Sequence, residues 1–383
     1  MAVNQIDDVS DCMLLNGAYC SRGQEPATIP FASTISRNGS NIIRVQEVSD
    51  LTEWVVVFIV TPSISVFGVI GNILSLIILA KHGLHKSSNI LLFSLAVSHI
   101  LFVIAINASP KSLSEWGAGV LPYPELTVHV LYYLYQLADC LRWITGPTSV
   151  SIPVLIMVER LIAVFLPRHF PSLVTVRRTV IAIIIPLVFS TLLQVYARTW
   201  CGFAYVYKTS RNMSIGVADI THRYWDHQAV RATIEVCMNL FFILVFFVGC
   251  GCIAIGVKMK LVAKKRMKIN NNLALQKASK THAESSRTTK MLLCLCISYT
   301  CACMPFILSA ILPSFMTYAM FLDKPNNRSV EVFVYHVYNL VFCVNASCNF
   351  FIYVGTNKKF RQTLVDILCG PRCRVFRILH SIQ

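Results

Sequence analysis

An adjacent acid and base close a long apolar run in the stretch Met157-Val-Glu-Arg-Leu-Ile-Ala-Val164. Charged side chains are costly inside a bilayer, so those that occur there are candidates for function. Glu159 and Arg160 could neutralise each other in a closed state, and their separation would free Arg160 for a partner. The pair could equally be a helix-end anchor whose charges reach the membrane interface. Charge alone leaves both interpretations open.

The composition around this stretch is that of a membrane protein. Of the 383 residues, 55% are hydrophobic and 14% are charged, against about 25% charged residues in soluble domains. Seven apolar segments of about bilayer length lie near 54–80, 89–109, 127–158, 179–197, 230–257, 289–313 and 331–354. We predict an all-α seven-transmembrane helix bundle over 54–356, an extracellular and disordered tail over 1–53, and a short amphipathic helix with a cytoplasmic tail over 357–383.

Lys and Arg are distributed unevenly between the two sides of this bundle. With the N-terminus outside, 22 of the 34 basic residues but only three of the 18 acidic ones fall on the inner side, a net charge of about +19 inside and −3 outside. Basic loops favour the cytoplasm, so the pattern predicts a multi-pass plasma-membrane protein with a cytoplasmic C-terminus. The net charge of +16 therefore needs no nucleic acid, and no nucleic-acid module appears. No cofactor or metal site and no catalytic motif is indicated.

Short motifs in a fixed order resemble those of rhodopsin-like, or class A, G-protein-coupled receptors. The likeness covers about 54–369, and the order and spacing of the motifs are more specific than any one of them. Among such receptors, Asn345-Ala-Ser-Cys-Asn-Phe-Phe-Ile-Tyr353 is most similar to invertebrate peptide receptors of the FMRFamide type and to chemosensory-type receptors. The motifs, in chain order, are Gly71-Asn72, Leu95-Ala-Val-Ser-His99, Trp116, Glu159-Arg160, Pro305 and Asn349-Phe-Phe-Ile-Tyr353.

Three departures from the family pattern bear on activation. Where the family carries an Asp in the second helix, this chain has His99. The sodium site that the family builds around that Asp is therefore expected to be lost or altered. In the sixth helix, Cys303 replaces the Trp of the family and Tyr299 replaces the Phe that precedes it. The activation residues that the resemblance implies are Asn72, His99, Glu159, Arg160, Tyr299, Cys303, Pro305, Asn349 and Tyr353.

The resemblance implies a receptor that binds an extracellular peptide or chemosensory ligand and activates a heterotrimeric G protein at its cytoplasmic face. Where amine receptors carry an Asp, eighteen residues before the motif Arg, this chain has Arg142. A cationic amine would meet a like charge there, whereas an acidic group or a carbonyl-rich peptide end would suit it. Arg142 could instead pair with Asp139, three residues away on the same helix.

Further expectations concern the outer surface and covalent modification. Tyr335, His336, Tyr338 and Asn339 could line an outer cavity, or could simply pack between helices. The family's outer disulfide implies a bridge from Cys201 in the second outer loop to Cys140. Glycosylation sequons begin at Asn38, Asn212 and Asn327, and Cys369 and Cys373 follow the amphipathic helix as palmitoylation candidates.

Two other classes of protein fit the sequence less well. A secondary transporter or channel would show inverted repeats or paired broken segments; Pro147 and Pro153 interrupt the third segment, but no second half mirrors them. A membrane enzyme would need a constellation of His, Asp, Glu or a nucleophile, and none stands out. The predicted function is therefore a receptor, with a transporter or channel as the alternative.

Overall fold

Seven apolar helices make up most of the part of the chain that the structure describes. The structure, a computed structural model, describes residues 51, 54–107, 125–199, 201–208, 213–220, 228–267, 288–304 and 328–368. Within these ranges six helices are long and apolar enough to cross a membrane, and Thr288–Met304 is a shorter seventh. The predicted seven-helix bundle is confirmed. Seven of the motif and modification residues named in the sequence analysis lie outside the described ranges, namely Asn38, Trp116, Asn212, Pro305, Asn327, Cys369 and Cys373.

Each helix overlaps the apolar segment that predicted it. A π-helical turn, Val56–Val60, leads into the first helix, and a four-residue helical turn, Phe170–Leu173, links the third and fourth. In chain order the helices are α1 (Thr61–His82), α2 (Ser87–Ile106), α3 (Glu125–Phe165), α4 (Val176–Arg198), α5 (Gln228–Met267), α6 (Thr288–Met304), α7 (Arg328–Thr356) and α8 (Lys358–Leu368).

Apolar side chains lie on both the inside and the outside of the bundle. The core packs α3, α5 and α6 together through residues such as Ile152, Val245 and Leu292, each at most 1% exposed. Phe67 and Phe246 point outwards instead and remain 67% and 72% exposed. A water-soluble bundle would carry polar residues on that outer surface, so these side chains are suited to contact with lipid.

Glycines allow α1 to approach α7 closely. A Cβ atom added at Gly68 would overlap the Ser347 hydroxyl, and one added at Gly71 would lie 2.9 Å from the Phe350 Cβ. Small residues at such contacts let helix backbones come together in membranes. Gly71 of the first-helix Gly-Asn motif therefore has a role in packing α1 against α7.

A β-hairpin follows α4, and the sequence analysis did not predict it. Strand β1 (Cys201–Lys208) pairs antiparallel with β2 (Met213–Ile220), so that Cys201 lies opposite Ile220. Strand β2 lies against α3. The stretch Tyr205-Val-Tyr207 is rich in residues that favour strands, but its partner strand could not be recognised from an isolated apolar pattern.

The end of the bundle where α3 terminates, here called the switch end, is held by short polar contacts. Gly83, with φ of 82°, turns the chain between α1 and α2, and Asn89 Nδ2 donates to its carbonyl at 2.8 Å. At the same end the His82 Nε2 and Thr363 Oγ1 atoms lie 2.9 Å apart and tie α8 to α1. Phe360 of α8 is buried as its amphipathic pattern predicted, while Leu368 is exposed.

Candidate activation switch

Glu159 and Arg160 form a buried ion pair near the end of α3. Their side chains are 5% and 9% exposed, and Arg160 Nη2 donates to Glu159 Oε1. The Nε atom of Arg160 is buried and has no hydrogen-bond partner in the part of the chain that the structure describes. Because a buried ion pair is strongly stabilising only when its other polar atoms are also satisfied, this pair is suited to exchange for a different arrangement.

The second carboxylate oxygen of Glu159 connects α3 to two neighbouring helices. Ser87 Oγ, at the start of α2, donates to Glu159 Oε2 at 3.0 Å. The Ser87 oxygen also lies 2.6 Å from Thr179 Oγ1 on α4. The sequence analysis missed both hydroxyl residues, since neither belongs to a motif and their contact depends on how three helices are placed.

A neutral hydrogen-bond node joins α1, α2 and α7 in the middle of the bundle. Asn349 Nδ2 lies 2.9 Å from His99 Nδ1, and an amide nitrogen can only donate, so Nδ1 accepts. The His99 ring also donates to the Ala346 carbonyl, which accepts from Asn72 Nδ2 at 3.0 Å as well. Both ring nitrogens of His99 are thus used in the uncharged form of the side chain.

A small cavity borders this node and reaches α6. His99, Asn349, Asn345 and Tyr299 line it together with apolar side chains, and it has room for about one water molecule. Tyr299 and Cys303, one turn apart on α6, are 4% and 0% exposed. The structure therefore brings two of the unusual family positions, His99 and Tyr299, to one cavity.

Tyr353, the last residue of the α7 motif, is buried against α8. Its ring centre lies 5.4 Å from that of Phe360, and its side chain is 1% exposed. This tyrosine links the end of α7 to α8.

The residues predicted to face a ligand occupy α3 and α7. Arg142 Nη2 donates to Asn339 Oδ1 at 2.9 Å, and its guanidinium carbon lies 5.7 Å from the centre of the Trp143 ring. Asp139 and His336 are buried, at 4% and 6% exposure. Tyr338 is half-buried, while the side chain of Tyr335 lies outside the described residues although its backbone belongs to α7.

Of the two cysteines in the bridge predicted between Cys140 and Cys201, the structure describes only the side chain of Cys140, so the bridge stays a prediction. Cys140 carries a free, half-buried thiol, and the side chain of Cys201 lies outside the described residues. Cys140 is fifteen residues into α3, about 22 Å along the helix axis, whereas Cys201 begins a strand just beyond the end of α4.

A family of known proteins and a curated protein each match most of this chain. Residues 59–370 match the family described as serpentine type 7TM GPCR chemoreceptor Srw, which takes in every helix from α1 to α8. The chain is also similar to a Caenorhabditis elegans protein described as a probable G-protein coupled receptor, with 22% identity over 316 residues that cover 80% of this chain and 68% of that protein. Both support a receptor of the serpentine chemoreceptor type; the closer likeness to class A and FMRFamide-type receptors stays a prediction.

Proposed function

The chain belongs to the serpentine type 7TM GPCR chemoreceptor Srw family, and on this basis we propose that it binds an extracellular ligand and activates a heterotrimeric G protein. The family is one of receptors, not of enzymes or transporters. The observation that carries the proposal is the buried Glu159–Arg160 pair at the end of α3. We place the receptor in the plasma membrane, with the switch end facing the cytoplasm.

The proposed mechanism is a shift between two arrangements of the helices. A ligand that binds one arrangement more tightly raises its population by that difference in affinity. In the closed arrangement Arg160 is held by Glu159; in the open one it is released, and the G protein contacts it. Arg160 Nε has no hydrogen-bond acceptor among the described residues in the closed arrangement. If the G protein supplies such an acceptor, the new hydrogen bond offsets part of the cost of breaking the ion pair.

We propose that the ligand carries an acidic group or a carbonyl-rich end that reaches Arg142, as neuropeptides and some chemosensory molecules do. Arg142 precedes Arg160 by eighteen residues on α3, about 27 Å along the helix, so it belongs to the opposite half of the bundle. Its bond to Asn339 Oδ1 joins α3 to α7 through a neutral acceptor. A ligand carboxylate would accept a stronger, charge-assisted bond from the same guanidinium.

The experiment that tests the switch compares Arg160→Ala with a matched surface variant. Arg160→Ala should reach the cell surface normally but lose G-protein nucleotide exchange, measured in membranes with heterotrimers of each Gα class. Arg177→Ala is the control, because Arg177 is an exposed cation at the start of α4. Undiminished exchange in Arg160→Ala would refute the proposal.

The ligand proposal has its own test. Cells expressing the chain with a promiscuous Gα are screened with amidated peptides and with small odorants, acidic and neutral. Arg142→Ala should weaken the response to acidic or peptide hits by at least about tenfold, as expected for loss of a charged hydrogen bond. An unchanged response would favour the alternative in which Arg142 pairs with Asp139 on the same helix.

A further inference from the structure

Two hydroxyls from other helices lead to the carboxylate of Glu159: Ser87 contacts it directly, and Thr179 contacts Ser87. Glu159 Oε1 accepts from Arg160, and Glu159 Oε2 accepts from Ser87 Oγ at 3.0 Å. A serine hydroxyl has a single proton, so when Ser87 donates to Glu159 the 2.6 Å contact between Ser87 and Thr179 is donated by Thr179. The single Thr179 proton is then shared between Ser87 and the Thr175 carbonyl, which lies 3.0 Å from Thr179 Oγ1. The result is a chain of hydroxyls that runs from α4 through α2 to the carboxylate on α3.

We propose that Ser87 and Thr179 are positioning residues that hold Glu159 in the closed state, so that the switch is a four-residue device rather than an ion pair alone. This inference rests on the proposed function. Neither hydroxyl contacts Arg160, and both act through Glu159. A carboxylate whose second oxygen is fixed by Ser87 has less freedom to rotate, so its first oxygen stays directed at Arg160.

Burial makes this arrangement effective. Glu159 and Thr179 are 4% and 8% exposed and Ser87 is half-buried, so water has little access to the carboxylate itself. Hydrogen bonds to an ionised group are stronger than bonds between neutral groups, and hydroxyls in a chain polarise one another. Ser87 is therefore the stronger contributor, and Thr179 acts mainly by orienting it.

The backbone around Ser87 is itself fixed. Gly83 adopts a positive φ that other residues disfavour, and Asn89 closes the turn onto its carbonyl. This short link between α1 and α2 sets where Ser87 stands at the first residue of α2. The loop therefore contributes to the switch through Ser87.

The test measures basal nucleotide exchange, for which no ligand is needed. If the closed state dominates, basal exchange is proportional to the small open population. Ser87→Ala should raise it by about tenfold, the factor expected for losing one hydrogen bond to a charged group. Ser88→Ala is the matched control, because it is the same substitution one residue away. Ser88 contributes no side-chain hydrogen bond within the described residues. The basal exchange of Ser88→Ala should therefore equal that of the wild type.

Thr179 provides an independent arm should Ser87→Ala fail to reach the surface. Thr179→Val keeps the shape and removes the hydroxyl, and should raise basal exchange about two- to threefold; Thr179→Ser should restore the wild-type level. Since Thr179 acts through Ser87, the double variant Ser87→Ala/Thr179→Val should match Ser87→Ala alone. Multiplied effects in the double variant, or an unchanged rate in Thr179→Val, would overturn the hydroxyl chain.

A third background separates this inference from the function on which it rests. Glu159→Ala removes the acceptor, so it should raise basal exchange itself, and adding Ser87→Ala to it should change nothing further. If Glu159→Ala raises exchange while Ser87→Ala equals Ser88→Ala, the positioning role is wrong and the switch stands. If neither Glu159→Ala nor Arg160→Ala alters exchange, the proposed switch itself is wrong.

Discussion

Replacing His99 by Leu tests the neutral node in the middle of the bundle. The substitution removes the acceptor of the 2.9 Å bond from Asn349 Nδ2 and leaves that buried amide without its partner. The Ala346 carbonyl also loses the His99 donor but keeps Asn72 Nδ2 at 3.0 Å, so it stays satisfied. The cost is therefore concentrated on a single orphaned donor, Asn349.

The magnitude follows from these contacts. A net hydrogen bond contributes about 1 kcal/mol, and an unsatisfied buried polar group costs about 1–3 kcal/mol. The free energy of unfolding of His99→Leu should fall by about 2–4 kcal/mol, which lowers the thermal midpoint by about 2–5 °C for a chain of this size. Replacement of both partners by apolar groups can be nearly neutral, so His99→Leu/Asn349→Leu should recover more than half of the loss.

The assay uses the protein's own thiols. Purified receptor in detergent is heated with a dye that fluoresces on reaction with cysteine, which reports unfolding because Cys296, Cys303 and Cys343 are buried. His85→Leu, at an exposed histidine between α1 and α2, is the control and should leave the midpoint unchanged. A double variant as unstable as the sum of its two single variants would refute the argument that the hydrogen bond, and not the shape of the side chains, stabilises the node.

Three other predictions follow from individual contacts. Gly68→Ala should lower the thermal midpoint through an overpacking cost of about 1–3 kcal/mol, because its Cβ would overlap the Ser347 hydroxyl, whereas Gly256→Ala, whose Cβ would meet nothing within 4 Å, should not. Exchanging sodium chloride for choline chloride should leave the midpoint of the wild type unchanged, since His99 is neutral with both nitrogens bonded, and a sodium-dependent rise would contradict this assignment. Cys140→Ser should keep surface expression and stability, as expected for a free thiol; loss of expression would indicate a disulfide instead.

The fold could be predicted from the sequence wherever the signal is local. An apolar run of bilayer length forms a helix whatever its neighbours do, because its backbone polar groups have no water to bond. The described part of each of the seven segments is almost entirely helical. The β1–β2 hairpin escaped prediction for the opposite reason. A strand such as Met213–Ile220 is stabilised by its partner, and nothing within those eight residues identifies that partner.

The residues of the candidate site also differ in how far the sequence could predict their contacts. Glu159 and Arg160 are adjacent in the chain, so an ion pair between them could be predicted before any helix was placed. His99 and Asn349 are 250 residues apart, and only the family resemblance pointed to both. Ser87 and Thr179 are joined by neither adjacency nor a motif, since a hydroxyl is a common residue whose partner depends on the relative rotation of three helices.

The neutrality of the central node has a consequence for how the two ends of the receptor communicate. No cation is needed to balance His99. In the proposed mechanism, the balance between closed and open arrangements then depends on Arg142, where a ligand would act, and on Glu159 and Arg160, where the G protein would act. Coupling between binding sites is reciprocal: whatever loosens the closed state at one end must tighten ligand binding at the other. We therefore expect Ser87→Ala to increase the affinity of any agonist found in the screen by up to the factor by which it raises basal exchange, although Ser87 lies far from Arg142. Agonist affinity that stays constant while basal exchange rises would show that the two ends are not coupled through a shared pair of states.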